Sequence, residues 1–154
     1  ISRMGSIIRI TKEFSFETAH ALEGYDGACR HIHGHSYRMK VTVSGSPVAD
    51  AGSPKCGMVM DFGDLKRIVV ENIVSRFDHA MAIRRTLSNG RFIDELRARY
   101  DSIIETPYQP TSENMLLYFV EVLKNRLPAS VKLEAVELYE TATSCAQWRA
   151  EDNE

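Results

Sequence analysis

The hydrophobic patterning of this chain predicts an α+β fold. Its elements run strand, strand, helix, helix, strand, strand, with the helices on one face of an antiparallel sheet. Three observations carry that prediction: two period-two alternations near the N-terminus, two helix-spaced apolar runs in the middle, and a last apolar region broken near Thr143-Ser144.

Residues 8–20 place Ile8, Ile10, Phe14 and Phe16 in one phase and Arg9, Thr11, Glu13, Ser15 and Glu17 in the other. Successive strand side chains leave opposite faces, so this alternation means a half-buried strand. His20 ends it in the apolar phase. Residues 36–44 repeat the pattern, Tyr37, Met39, Val41 and Val43 against Ser36, Arg38, Lys40, Thr42 and Ser44, after a Gly-containing loop from Glu23 to Gly34. Gly45 to Gly57, with Pro47, Gly52 and Pro54, reads as a loop. Asp61 or Asp64 then caps a helix in which Leu65, Ile68, Val69, Ile73 and Phe77 recur at helical spacing. A second helix follows Pro110, with Thr111 or Ser112 as N-cap and Met115, Leu116, Phe119, Val120 and Leu123 on its buried face, and Pro128 stops it. Val131 to Arg149 reads as two short strands. Residues 84–109 fall outside the scheme, with a short helix expected around Phe92 to Tyr100.

The length of 154 residues fits a single domain spanning 1–154, and 44% apolar with 26% charged residues is the balance of a globular chain rather than a disordered one. A formal net charge of −2 gives no reason to expect nucleic acid or an anionic membrane as partner. No run of eighteen apolar residues is present, and no secretory signal is expected. Cys29, Cys56 and Cys145 are odd in number and form no CxxC pair, which argues against a disulfide framework and for a reducing, cytoplasmic setting.

Four of the five histidines, His20, His31, His33 and His35, lie within sixteen residues. His33 and His35, two apart, present both imidazoles to one side of a strand, and His20 approaches them if the two strands pair as a hairpin. Three converging imidazoles with a fourth position open are the arrangement of catalytic zinc, although imidazole also suits copper, iron or nickel. His31 is out of phase with the other two and is not counted as a ligand. The bland alternative is a set of loop histidines with no common ligand.

At Cys29-Arg-His-Ile-His33-Gly-His35-Ser the chain resembles the 6-pyruvoyl-tetrahydropterin synthase family, and in particular its 6-carboxytetrahydropterin synthase branch, which serves queuosine biosynthesis. Phe14-Ser-Phe-Glu-Thr-Ala-His20 is similar to the family's first ligand segment and Met60-Asp61-Phe62-Gly-Asp-Leu65-Lys to its first-helix entry. Phe77-Asp78-His79 falls at the catalytic Asp-His, Pro110-Thr-Ser-Glu113-Asn at the second-helix start and Glu140-Thr at the pterin anchor. The branch rests on one spacing, the cysteine four residues before the first histidine of His-Gly-His. The chain departs from bacterial relatives after Asp78-His79, where Ala-Met-Ala replaces the usual Leu-Asn, and its segment before Pro110 is longer, which makes residues 84–109 an extended insertion.

The resemblance implies a tunnelling fold (T-fold): a four-stranded antiparallel sheet with two helices on one face. It implies zinc held by His20, His33 and His35, with Cys29 as the catalytic base and His79, oriented by Asp78, relaying protons to and from it. Nearby cations would lower the thiol's pKa; an inert buried thiol is the commoner fate of a cysteine. Glu140 is expected to anchor the pterin ring by charge-assisted hydrogen bonds. Glu113, Thr111 and Ser112 are weaker pocket candidates, Glu113 having a helix-dipole role as its alternative. The implied reaction converts 7,8-dihydroneopterin triphosphate to 6-carboxy-5,6,7,8-tetrahydropterin with release of acetaldehyde and triphosphate. Its alternatives are a pyruvoyl product with no carbon lost, or a zinc-containing protein that binds pterins without turnover. A homohexamer, a dimer of trimers with active sites between subunits, is the implied assembly.

Overall fold

The computed structural model describes residues 5–27 and 30–154. Two long strands, β1 (Ile8–His20) and β2 (His33–Gly45), pair antiparallel over their whole length, from Ile8 opposite Gly45 to His20 opposite His33. The bounds of β1 are those the alternation predicts. β2 begins three residues earlier than its apolar alternation, because pairing with β1 extends it through the histidines.

Asp61 caps α1 (Phe62–Val69), its carboxylate accepting the Gly63 N–H at 2.7 Å. The helix continues through a π-helical turn (Val70–Val74) into α2 (Ser75–Phe77). The Asn72 amide donates to the Ile68 carbonyl at 2.7 Å and the Ser75 hydroxyl to that of Glu71 at 3.1 Å, supporting carbonyls where the hydrogen-bond ladder changes pitch.

Residues 80–106 depart from the four-strand expectation. They form β3 (Ala80–Arg84), α3 (Gly90–Arg99) and β4 (Ile103–Thr106), and among the described residues the sheet therefore has six strands in the order β4-β3-β1-β2-β5-β6. β3 runs parallel to β1, joined only at Thr18–His20, and β4 runs parallel to β3. Strands of five and four residues show too few alternations to announce themselves, and their partners lie far off in the chain. Helix α3 lies where a short helix was expected, and the Arg85 guanidinium ties it to β4 by pairing with Asp94 at 2.8 Å and with Glu105.

Helix α4 (Ser112–Arg126) is capped by Thr111, whose hydroxyl accepts the Asn114 N–H at 3.2 Å. β5 (Lys132–Thr141) and β6 (Ser144–Arg149) form the closing hairpin, which breaks at the predicted place. The core lies between one face of the sheet and the helices: Phe14, Phe16, Tyr37, Met39 and Leu138 meet Leu65, Ile73, Phe77, Met115 and Phe119. Phe119 sits edge-on to both Phe16 (5.9 Å) and Phe77 (5.0 Å). No helix among the described residues is long and apolar enough to cross a membrane.

Candidate active site

At the open end of the β1–β2 ladder, the register that buries Phe16 and Tyr37 also places His20 and His35 on the core face, with His33 directly across from His20. The three rings converge, with centroids 4.6 Å (His20–His33), 5.1 Å (His20–His35) and 4.9 Å (His33–His35) apart. Sequence phase predicted this grouping.

Two backbone carbonyls set the tautomers. His20 Nδ1 donates to Pro110 O at 2.7 Å, and His33 Nδ1 donates to His31 O at 2.6 Å. With both Nδ1 atoms protonated, the neutral rings present bare Nε2 lone pairs to each other across 3.0 Å. Two acceptors hold that separation when a cation sits between them, and carbonyl-bound Nδ1–H groups are the usual outer support of metal-ligating histidines. His35 Nε2 is buried without a hydrogen-bond partner among the described residues, although Glu140 Oε1 is 2.9 Å away. Burial, with the other imidazoles beside them, pushes the pKa of both His20 and His35 down, keeping the rings in the neutral form that binds metal. The donor set fits a zinc-like cation.

Glu140 closes the group. Its carboxylate and the three imidazoles offer one donor atom each, all within 4.8 Å of one another. The buried Ser112 hydroxyl donates to Glu140 Oε2. Ser112 and Glu113 line a cavity of about 420 Å³ with Glu140, Cys145 and Gln147. Thr111 is occupied as the α4 cap, and Glu113 stands exposed in the helix's first turn, favourable for the helix dipole.

Through His79, the Asp-His pair borders a groove that His35 also lines. Asp78 Oδ1 is 3.1 Å from His79 Nδ1 and accepts the Glu17 N–H at 2.9 Å. His79 has φ 62, a left-handed conformation found at no other non-glycine among the described residues, and its side chain is 79% exposed. It lines an open groove of about 500 Å³ with Glu17, His35, Ser36, Leu96 and Tyr100. Glu17 and Ser36 belong to the strand phase opposite His20 and His35, and the Ser36 hydroxyl donates to Glu17 at 2.7 Å. Among the described residues, neither Asp78 nor His79 makes a hydrogen bond, ion pair or ring contact with the three histidines. The proposed catalytic thiol, Cys29, lies outside the described residues.

Sequence reasoning missed the Pro110 and His31 carbonyls that orient the rings, since a backbone oxygen carries no residue identity. It also missed Cys145 and Gln147, which reach the Glu140 cavity through the β5–β6 pairing; their alternation along a strand was the available signal.

Fold and site together define an α+β protein with a candidate three-histidine metal centre at the end of a strand pair. The family model described as 6-pyruvoyl tetrahydropterin synthase matches residues 9–151, and the chain belongs to that family. It is 34% identical over 144 residues to the 6-carboxy-5,6,7,8-tetrahydropterin synthase of Haemophilus influenzae, a match covering 93% of this chain and 99% of that protein. The enzyme of the same name from Synechocystis is 34% identical over 140 residues, covering 90% and 91%. Two solved structures share the fold. An uncharacterized protein from Wolinella succinogenes, WS1659, has a TM-score of 0.75 at 23% identity, over 95% of this chain and 99% of that one. The 6-pyruvoyl tetrahydropterin synthase of Caenorhabditis elegans has a TM-score of 0.66 at 24% identity, over 94% and 96%.

Proposed function

We propose that this chain is a zinc-dependent lyase that converts 7,8-dihydroneopterin triphosphate to 6-carboxy-5,6,7,8-tetrahydropterin, releasing acetaldehyde and triphosphate. The observation that carries this reading is the convergence of His20, His33 and His35 beside the Glu140–Ser112 cavity. The names of the 34%-identical relatives favour the carboxy-forming branch over the pyruvoyl-forming one.

Zinc held by the three histidines supplies Lewis acidity toward oxygens of the substrate's side chain. The remaining roles belong to the chain. Glu140 accepts hydrogen bonds from the pterin's amino and ring N–H groups, with Ser112 steadying its far oxygen. Thr111 and Glu113 border the ring's entry. Cys29 removes the side-chain proton as thiolate, and His79 returns one. Asp78 holds the His79 proton at Nδ1 and leaves Nε2 free for exchange.

Among the described residues of one chain neither Asp78 nor His79 bonds to the histidine trio, although His35 borders the same groove as His79, and the reading includes a second copy. Among the described residues, β1 has no strand partner along Ile8–Glu17 on the side away from β2, and β6 has none on its outer side. Such edges invite pairing between copies. We infer a homohexamer, a dimer of trimers, in which one copy brings the metal and its neighbour brings His79. Residues 84–109, read as an insertion in the single domain 1–154, wall the groove with Leu96 and Tyr100. Free Cys56 and Cys145 agree with a cytoplasmic setting.

The test is product identification by mass after incubating zinc-loaded protein with 7,8-dihydroneopterin triphosphate. Acetaldehyde and a 6-carboxypterin in equal amounts are expected. A pyruvoyl product would move the chain to the other branch, and unconverted substrate would sink the reading.

A further inference from the structure

We propose that Glu140 is a fourth ligand of the metal centre, bound there until a pterin ring takes its carboxylate. This rests on the reading of Glu140 as pterin anchor and adds a second, competing partner for the same oxygens.

The geometry around His35 is the starting point. A carboxylate 2.9 Å from an imidazole nitrogen ordinarily means an N–H···O hydrogen bond, yet His35 Nε2 has no bond of that alignment. The oxygen sits beside the ring's N–H axis rather than on it. Two donors that point at a common third atom sit in that way. The Nε2 atoms of His20 and His33 stand as close, 3.0 Å apart, with both Nδ1 atoms turned to carbonyls. Donors about 2.0–2.1 Å from a shared tetrahedral zinc stand about 3.3 Å apart, close to both separations.

Glu140 is also held for the task. It follows Val136 and Leu138 in the core-facing phase of β5, and its side chain is only 25% exposed. Ser112 donates to Oε2, which leaves Oε1 to face the trio. Three neutral imidazoles around a divalent cation leave two positive charges in a half-buried site, and one carboxylate offsets part of that.

A centre with four protein donors is closed, whereas lyase chemistry needs an open position. Transfer of Glu140 from metal to pterin opens that position only when a ring has arrived. Metal and free pterin then compete for one carboxylate, and linkage requires each to weaken the other by the same factor.

The test needs no turnover. Zinc affinity by chelator competition and the visible spectrum of the cobalt(II)-loaded protein are compared for wild type, Glu140→Gln and Glu140→Asp, each checked for folding by circular dichroism. Glu140→Gln is expected to weaken zinc at least tenfold and to change the cobalt bands, with Glu140→Asp between it and wild type. A free pterin lacking the triphosphate side chain, followed by its own fluorescence, is expected to bind the metal-free protein more tightly than the zinc-loaded one. Added to cobalt-loaded wild type, it should move the bands toward those of Glu140→Gln. Unchanged cobalt bands in Glu140→Gln would overturn the ligand assignment even if affinity fell, since the carboxylate would then act from outside the ligand sphere. Equal pterin affinity with and without zinc would overturn the exchange. No pterin binding in either state would end both the exchange and the anchor role proposed for Glu140, while the cobalt bands would still decide the ligand.

Discussion

The Thr18 hydroxyl donates to the Phe77 carbonyl at 2.7 Å, a buried hydrogen bond between β1 and the helix end that immediately precedes Asp78-His79. Thr18 also lies directly across from His35 in the β1–β2 register. One residue thus sits between the histidine trio and the Asp-His pair and fixes where the second begins. Thr18→Val keeps the shape and deletes the donor, leaving the carbonyl unpaired at a site where Thr18 is 2% exposed. The expected cost is about 1–3 kcal/mol, read as a lower urea midpoint with an unchanged slope and unchanged zinc content. An unmoved midpoint would mean the Phe77 carbonyl finds another partner.

Metal content separates ligands from neighbours. His20→Ala removes a donor whose ring is otherwise locked to Pro110, and bound zinc per chain is expected to fall to background after dialysis, together with the rise in melting temperature on adding zinc. His31→Ala is expected to keep full zinc content, because His31 serves through its carbonyl, which the substitution retains. Elemental analysis of the dialysed proteins decides both.

Strand phase made the trio legible in the sequence: His20 shares the phase of Phe14 and Phe16, and His33 and His35 that of Tyr37 and Met39. The same logic placed β1, while Pro110 followed by Thr111 or Ser112 marked the α4 cap and the turn near Thr143-Ser144 the break between β5 and β6. Glu140 beside His35 was not legible, since that meeting depends on the β2–β5 register between segments roughly a hundred residues apart, with an irregularity at Thr42/Val43. Nor was the π-helical turn before Asp78, where a change in hydrogen-bond pitch leaves the apolar spacing of Val69, Ile73 and Phe77 intact. β3 and β4 are stabilised by parallel partners that local composition does not name.

Acid should loosen the metal-free protein. The pKa of His20 and of His35 is lowered in the folded state by burial, while in the unfolded chain both return to about 6.5. The unfolded state then binds more protons as pH falls through that value, so stability present above about pH 6.5 is lost as pH drops toward the folded pKa values. Melting temperature of the metal-free protein should fall between pH 7 and pH 5, and His20→Gln should flatten the slope. A wild-type profile with no slope in that range would contradict the burial argument.

The last expectation concerns how many chains make one site. If the metal half of a site comes from one copy and His79 from its neighbour, chains defective in different halves must complement each other. His79→Gly suits the purpose, since glycine accepts the backbone φ of 62 and only the imidazole is lost. Cys29→Ala disables the other half. Each variant alone is expected to lose about 10²–10⁴-fold in turnover, with zinc retained. After mixing, dissociation and reassembly, about one site in four in the hybrids pairs an intact Cys29 with an intact His79, and activity should return to a comparable fraction of wild type. Groups meeting within a single chain could not be rescued this way. A hybrid no more active than its parents would therefore put the relay inside one subunit, across the groove that His35 and His79 both line.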